Sequence, residues 1–474
     1  MRRTKLTPCL LVLFASQFIN QGADRSPAPP RTHTPAERMT TARLKATHEA
    51  VEQLKQGRRA MPPTPGLHDY RAILHAHAED SAHTGGSRPE MLSDAKKAGV
   101  SAILLTDHFR PPRDFITESW RGLHEGVLFI PGSEARGFLV HPVESILNRM
   151  DLGTPEFVKA VTADDGLIFL SHIEERPGHS TEGLTGLEVY NRHADAKDDM
   201  ATLIMLALKL TDPKELAELQ ESFRLYPDEW LAAQVEYPTA YIAKWDADTQ
   251  QRRLTGIAAN DCHHNMVFVM KMVDEQTVRV GTIVDRDDKM RTLTADLRPG
   301  IREMTKAHKP GDVLARLDLD PYYRSFLNLS THIFAPELTE AAIRAALKAG
   351  HAYVSHDWMC DPTGFLFEAR PPATQGQARA GAAHPSTAAS IPLPSPALSI
   401  MGDEVKFAPG LKLAARAPIK CQLRLLKNGT RLATKETAQW EHAVDGPGVY
   451  RLEAWLTLAD EERPWIYSNP IYVR

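Results

Sequence analysis

Two histidines one residue apart close the run Arg71-Ala72-Ile73-Leu74-His75-Ala76-His77, and His83 follows six residues later. Residues two apart on an extended backbone share a face, so the imidazoles of His75 and His77 point the same way. Two imidazoles aimed at one point suit a divalent metal, which takes a nitrogen lone pair from each. Alone the pair is weak, because a strand histidine is commonly just solvated or hydrogen-bonded. Five more runs end in the same kind of residue. Ser101-Ala102-Ile103-Leu104-Leu105 leads into Thr106-Asp107-His108, Val127-Leu128-Phe129-Ile130 into Pro131-Gly132-Ser133-Glu134, and Leu167-Ile168-Phe169-Leu170 into Ser171-His172. Leu187-Glu188-Val189-Tyr190 leads into Asn191-Arg192-His193, and Thr255-Gly256-Ile257-Ala258-Ala259 into Asn260-Asp261-Cys262-His263-His264. Histidines scattered at random would not fall at the same end of every run.

Something must gather these endings. Apolar runs separated by helical stretches, of which residues 89–98 are the clearest, indicate buried parallel strands in an α/β arrangement. In a closed βα barrel the C-terminal strand ends meet on one face, where active sites form. Residues 195–251 interrupt two of the runs and read as a helical cap, with a buried helix at 200–210 and an amphipathic one at 212–223. Trp230, Tyr237 and Trp245 in that insertion fit core positions better than a pocket lining. Residues 267–284 are β-rich, and 338–349 form a patterned helix stopped by Gly350.

On either side the composition changes. Residues 1–23 have a basic start (Arg2, Arg3, Lys5), an apolar run and small residues at Gly22 and Ala23, the pattern of a secretory signal peptide. A spacer and one helix fill 24–66, the strand-rich region 67–357, and a β-rich tail 358–474. Within the tail, 371–396 form a Pro/Ala-rich loop, and Lys427-Asn428-Gly429-Thr430 is the clearest hairpin turn in the chain. The tail reads as a small β-sandwich.

The 474 residues carry a net charge of −4, so no overall basic field points to nucleic acid or an anionic membrane. Cys9, Cys262, Cys360 and Cys421 show no C-x-x-C spacing, which excludes a zinc ribbon and leaves free thiols or one disulfide. No P-loop, dinucleotide fingerprint or G-x-S-x-G elbow is present.

With its H-x-H, T-D-H, G-S-E, S-H and N-D-x-H elements in this order, the chain resembles the polymerase and histidinol phosphatase (PHP) superfamily over roughly residues 68–355. The resemblance implies a distorted (βα)7 barrel with up to three metal ions at its mouth and hydrolysis of phosphate esters. It implies His75, His77, His83, His108, Glu134, His172, Asp261 and His263 as ligands, His83 standing where many members have Asp. His193 completes the set, with Asn191 or Asp195 as its alternatives. The tail looks like the sandwich appended to exported members.

A mixed imidazole and carboxylate shell suits Zn²⁺, Mn²⁺ or Fe²⁺, and two ions about 3.5–4 Å apart can activate water against a phosphoryl group. Glu134 is the bridging candidate, having two oxygens where an imidazole has one free nitrogen. Asp107 is a candidate for fixing a histidine tautomer, or simply a loop cap. Arg110, Arg136 and Arg192 are candidates to meet phosphate charge, against the plainer reading of surface arginines. His264 and His141 are candidate general acids, against hydrogen-bonded loop histidines. His351, His356 and Asp357 read as an interdomain contact. The expected function is therefore an exported phosphoesterase with two or three divalent ions, acting on a small-molecule phosphate ester, with neither nucleic acid nor stable membrane insertion. The rivals are an amidohydrolase-like enzyme and a non-catalytic metal-holding binding protein.

Overall fold

A computed structural model of the protein describes residues 33–198, 200–372 and 399–474. The expected leader and nearly all of the expected Pro/Ala-rich loop lie outside the described residues. The apolar runs are strands, because rows of branched and aromatic side chains are buried on both faces and stop where polar residues begin. They form β1 (His68–Ile73), β2 (Ala102–Leu104), β3 (Val127–Ile130), β4 (Ser133–Ala135), β5 (Phe138–His141), β6 (Leu167–Leu170), β7 (Gly186–Asn191) and β8 (Thr255–Ala259). β1 with β2, β2 with β3, β6 with β7, and β7 with β8 pair in parallel. The helix Arg88–Ala98 joins β1 to β2; a Ser87/Glu90 capping box and Pro89 start it, and Gly99 at φ 68° stops it.

The seven-stranded barrel does not close. β3, β2 and β1 belong to one sheet, whose next strand is antiparallel to β1, and β4 to β8 form another. Among the described residues the backbone bridges between the two are Ala76–Cys262 and His108–Glu134, both at C-terminal strand ends. The reason lies in side chains that take the place of strands. Gly256 N–H donates to Asn469 Oδ1 at 2.7 Å and Ala258 N–H to Thr331 Oγ1 at 2.9 Å, so these donors of β8 are satisfied without a neighbouring strand. Between β3 and β4, Pro131 has no N–H to pair, and the chain turns into the β4–β5 hairpin.

Two excursions leave the strand ends that carry candidate ligands. After β7 come the helices Arg192–Asp198, Met200–Lys209, Pro213–Leu225, Pro227–Ala232 and Thr239–Thr249. After β8 comes an antiparallel sheet of β9 (Val267–Asp274), β10 (Thr277–Thr282), β11 (Arg291–Thr294) and β12 (Val313–Asp318). Leu206, Leu216, Leu219 and Trp230 of the helices share an apolar core with Met270, Val278 and Leu317 of the sheet. Helices and sheet are therefore one unit, larger than the helical cap expected from the sequence. Trp230 and Trp245 are buried, and Tyr237 stacks on Trp455 at 5.5 Å.

The chain then forms β13 (Ser330–Ala335), β14 (Ala352–Ser355), β15 (Leu366–Arg370), β16 (Lys412–Lys427), β17 (Thr430–Ala443), β18 (Gly448–Leu458), β19 (Glu461–Ser468) and β20 (Ile471–Val473). Asn428 and Gly429, at φ 53° and 79°, make the two-residue turn between β16 and β17. These strands are not a freestanding sandwich. β19 pairs with β14, Val354 opposite Tyr467, and so joins the tail to the sheet that holds β1. An unpaired β14 edge would expose a row of backbone donors and acceptors. The expected single N-terminal helix is two, Pro35–Arg38 and Thr41–Gly57. Arg38 is buried, paired with Glu461 and donating to Ala233 O and Val235 O. Cys262, Cys360 and Cys421 are free and buried. Among the described residues no helix is long and apolar enough to cross a membrane.

Beneath β1 lies a buried ionic network. His332 sits between Asp69 (2.7 Å) and Asp357 (3.3 Å), and Asp357 also pairs with Arg71 at 2.8 Å. Burial alone would push the His332 pKa down, but the two carboxylates outweigh it and lift the value to about 9. A histidine raised in the folded state stabilises fully below its unfolded pKa, near 6.5, and the contribution is gone above about 9. Urea unfolding should therefore show stability falling by on the order of 3 kcal/mol between those pH values. His332→Gln should remove that slope; a variant with the same slope assigns it elsewhere.

Candidate metal centre

The strand ends converge although the barrel is open. His75 and His77 follow β1 and are fully buried, with His263 and Asp261 beyond β8 against them. The His77 and His263 rings stack at 4.1 Å, and His77 lies 4.3 Å from His108. At the centre are two carboxylates. Asp261 Oδ1 is 3.4 Å from both His75 Nε2 and His77 Nε2, and its Oδ2 is 3.5 Å from His172 Nε2. Glu134 places Oε2 3.5–3.8 Å from the Nε2 atoms of His108, His75 and His77, and Oε1 3.1 Å from His172 Nε2. Two donors each about 2.1 Å from one tetrahedral ion lie about 3.4 Å apart, so these separations are edge lengths of a coordination polyhedron.

Among the described residues four sets of donors meet within 4.8 Å: His77, His108 and His263; His75, Glu134 and His172; His75, His77 and Asp261; and, further out, His172, Glu174 and Glu175. The Nε2 atoms of His75, His77 and His263 are buried without a hydrogen-bond partner. Buried polar atoms seldom go unpaired, and nitrogens turned toward a pair of carboxylates fit a cation between them. The electrostatics agree. Burial would lower His77 and His172, yet Asp261 and Asp80 lift the first to about 9, and Glu134 and Glu174 lift the second to about 10. Burial would likewise raise Glu134, but the imidazoles of His172 and His75 hold it well below the carboxylate range. His263 moves the other way, to about 2, through burial and then the charge on His77. The pocket is built to hold positive charge.

His83 and His193 stand further out. His83 is exposed, its ring 4.9 Å from both His108 and His263. His193 is the second residue of the helix after β7, its ring 6.2 Å from His263 and close enough to Asp261 for its charge to depress that carboxyl. Its two alternatives are engaged elsewhere. Asn191 Oδ1 accepts from the His193 and Ala194 N–H groups, and Asp195 takes the Tyr190 hydroxyl.

The holders of the histidines are not those the sequence nominated. Among the described residues Asp107 pairs with no imidazole; it accepts from the Ala78 N–H and pairs with Arg88 and Arg113. Asp80 does that work, its Oδ2 2.6 Å from His108 Nδ1 and 3.1 Å from His77 Nδ1. Glu188, fully buried, lies 2.7 Å from His75 Nδ1 and accepts the His172 N–H at 2.9 Å. Glu174 holds His172 Nδ1 at 3.0 Å and is itself gripped by the Tyr241 hydroxyl from the insertion. Such partners fix which ring nitrogen faces the metal. Glu188 left a trace in the sequence, a carboxylate inside an apolar strand; Asp80 left only its place three residues after His77.

His264 also departs from its nomination. It is clamped between Asp318 at 3.1 Å and Glu90 at 2.7 Å, and against the effect of burial Asp318 raises it to about 9. His141 is fully buried and lowered to about 3 by burial and the charge of Arg344. Arg192 is buried near Asp320, and Arg110 is exposed at the His83 side. His172 and Asp261 hold left-handed backbone at φ 50° and 47°, a conformation side chains adopt at a cost.

No protein-family profile matches the chain, and no curated protein matches it. A solved two-domain protein from Bacteroides vulgatus ATCC 8482, described as containing a predicted PHP-like metal-dependent phosphoesterase, is similar to this chain. It shares 13% identity over 87% of this chain and 98% of that one, with a TM-score of 0.32.

Proposed function

We propose that the protein is an exported metal-dependent phosphoesterase acting on a small-molecule phosphate ester. Two or three divalent ions would be held by His75, His77, His83, His108, Glu134, His172, His193, Asp261 and His263. The observation that carries the reading is the set of buried imidazole nitrogens of His75, His77 and His263 that have no hydrogen-bond partner among the described residues, those of His75 and His77 facing both Glu134 and Asp261. The order of the sequence motifs supports the phosphoester class, and the basic, apolar leader supports export. Zn²⁺, Mn²⁺ and Fe²⁺ all suit the donor set.

Bound divalent ions supply Lewis acidity and make water a nucleophile near neutral pH. The chain supplies the rest. Asp80 and Glu188 orient the rings so that each presents one lone pair, and Glu134 and Asp261 share their oxygens among the imidazoles. The burial of His75, His77 and His263 keeps bulk water away from one side, which strengthens every electrostatic contact there. Exposed His83 and Arg110 mark the side from which an anionic substrate enters.

The test is a hydrolysis screen of the protein reconstituted with each metal in turn, on phosphomonoester and phosphodiester chromogens, beside a His75→Ala/His77→Ala control. Turnover that falls by at least about 10³-fold in the control is expected. Metal bound at full stoichiometry with no turnover of either ester would sink the proposal.

A further inference from the structure

We infer that Arg136 marks a subsite for an acidic group on the leaving half of the substrate, an inference that rests on the phosphoesterase reading above. The β4–β5 turn is Arg136-Gly137, with φ of 57° and 84°. Turns of this kind favour asparagine, aspartate or glycine first, so an arginine there is unusual. Its side chain is fixed at three points. Nη1 donates to Met150 O at 3.0 Å and Leu152 O at 2.8 Å, and the guanidinium carbon lies 4.5 Å over the Phe157 ring. Among the described residues Nε and Nη2 have no hydrogen-bond partner and no carboxylate pairs with Arg136, not even Asp151 between the two accepting carbonyls. Arg192, by contrast, is buried beside Asp320, and Arg110 has no such anchors among the described residues.

Arg136 also lines a cleft of about 370 Å³ with Phe109, Met150 and Asp151. The cleft touches the metal centre's own scaffold. Phe109 directly follows His108 and donates its N–H to Glu134 O at 3.1 Å, while Arg136 lies two residues past Glu134. A pre-set guanidinium edge suits a carboxylate or a second phosphate in a bidentate pair. Phe109 and Met150 offer an apolar wall to the carbon skeleton. Asp151 accepts hydrogen bonds only, so it opposes a bare anion and favours one with a hydroxyl or ammonium beside it. The substrate class is thus a phosphate ester whose alcohol half carries a second acidic group close to a hydrogen-bond donor.

Non-hydrolysable probes separate this from the reaction itself. The Mn²⁺-loaded full chain is titrated with benzylphosphonate and with its 4-carboxy and 4-phosphonomethyl derivatives, and phenyl phosphate turnover is measured beside them. At least one acidic derivative should bind about tenfold tighter than benzylphosphonate, and which one does identifies the acidic group. Arg136→Met should erase that preference while plain benzylphosphonate binds within about twofold, and Asp151→Asn should increase it. No preference in the wild type, or equal weakening of all probes by Arg136→Met, overturns the subsite. Absent phenyl phosphate turnover alongside an intact Arg136-dependent preference counts only against the phosphoesterase reading.

Discussion

Glu134→Gln is expected to empty the centre of metal and to lower hydrolysis by roughly three orders of magnitude. Among the described residues only Asp261 reaches as many imidazoles. Glu134 lies 3.1–3.8 Å from the Nε2 atoms of His172, His108, His75 and His77. Glutamine keeps the shape but removes the charge and turns one oxygen into a donor, which faces cations or ring nitrogens with the wrong polarity. Four imidazoles would then gather ions against Asp261 alone, and the Coulombic loss is large at this depth. Atomic emission for metal content and kcat/KM on the best chromogen measure the two halves of the effect. A Glu134→Gln variant with full metal and activity within about tenfold of wild type would remove Glu134 from the centre.

The second large effect belongs to Glu188→Gln, a residue that touches no reacting atom. Its Oε1 lies 2.7 Å from His75 Nδ1, and its Oε2 accepts from the His172 N–H and from Asn191 Nδ2. A glutamine has one acceptor oxygen for these donors. Either His75 loses its partner and is free to turn, or the amide NH2 is pushed against two N–H groups. Metal affinity should fall about 10- to 100-fold, the usual result of losing such a partner. Stability should fall by about 1–3 kcal/mol for the buried donor left unpaired. Competition with a fluorescent chelator reads the first, urea unfolding of the metal-free protein the second. Lowered stability with unchanged metal affinity would make Glu188 a fold residue only.

The gathering of candidate metal ligands was more legible in this chain than its architecture. His75, His77, His108, Glu134, His172, Asp261 and His263 could be found because strands ending in polar residues advertise themselves by pattern, and donor type restricts what such endings do. The open barrel could not be read. It depends on the side chains of Asn469 and Thr331 reaching backbone N–H groups far away in the chain, and no local pattern records such a contact. The joining of β19 to β14 is hidden for the same reason, since a strand's sequence does not name its neighbour. Asp107 and Asp80 show the limit at the level of one residue. Both are aspartates near a candidate ligand, and only the path of the loop between His77 and Thr84 decides which one meets the rings.

The reach of Asn469 has a consequence for the order in which this protein can be completed. Its side chain both accepts from the Gly256 N–H and donates to the Gly256 O, at 2.7 and 3.1 Å, on the strand that ends two residues before Asp261. A chain growing from its N-terminus exposes His75 early, yet the footing of Asp261 arrives only with residue 469. During synthesis the histidines therefore wait, unsupported on one side, for nearly the whole polypeptide. Under the proposed function, any compartment crossed before that moment is crossed with the centre unfinished, and metal selection falls to wherever the last strands settle.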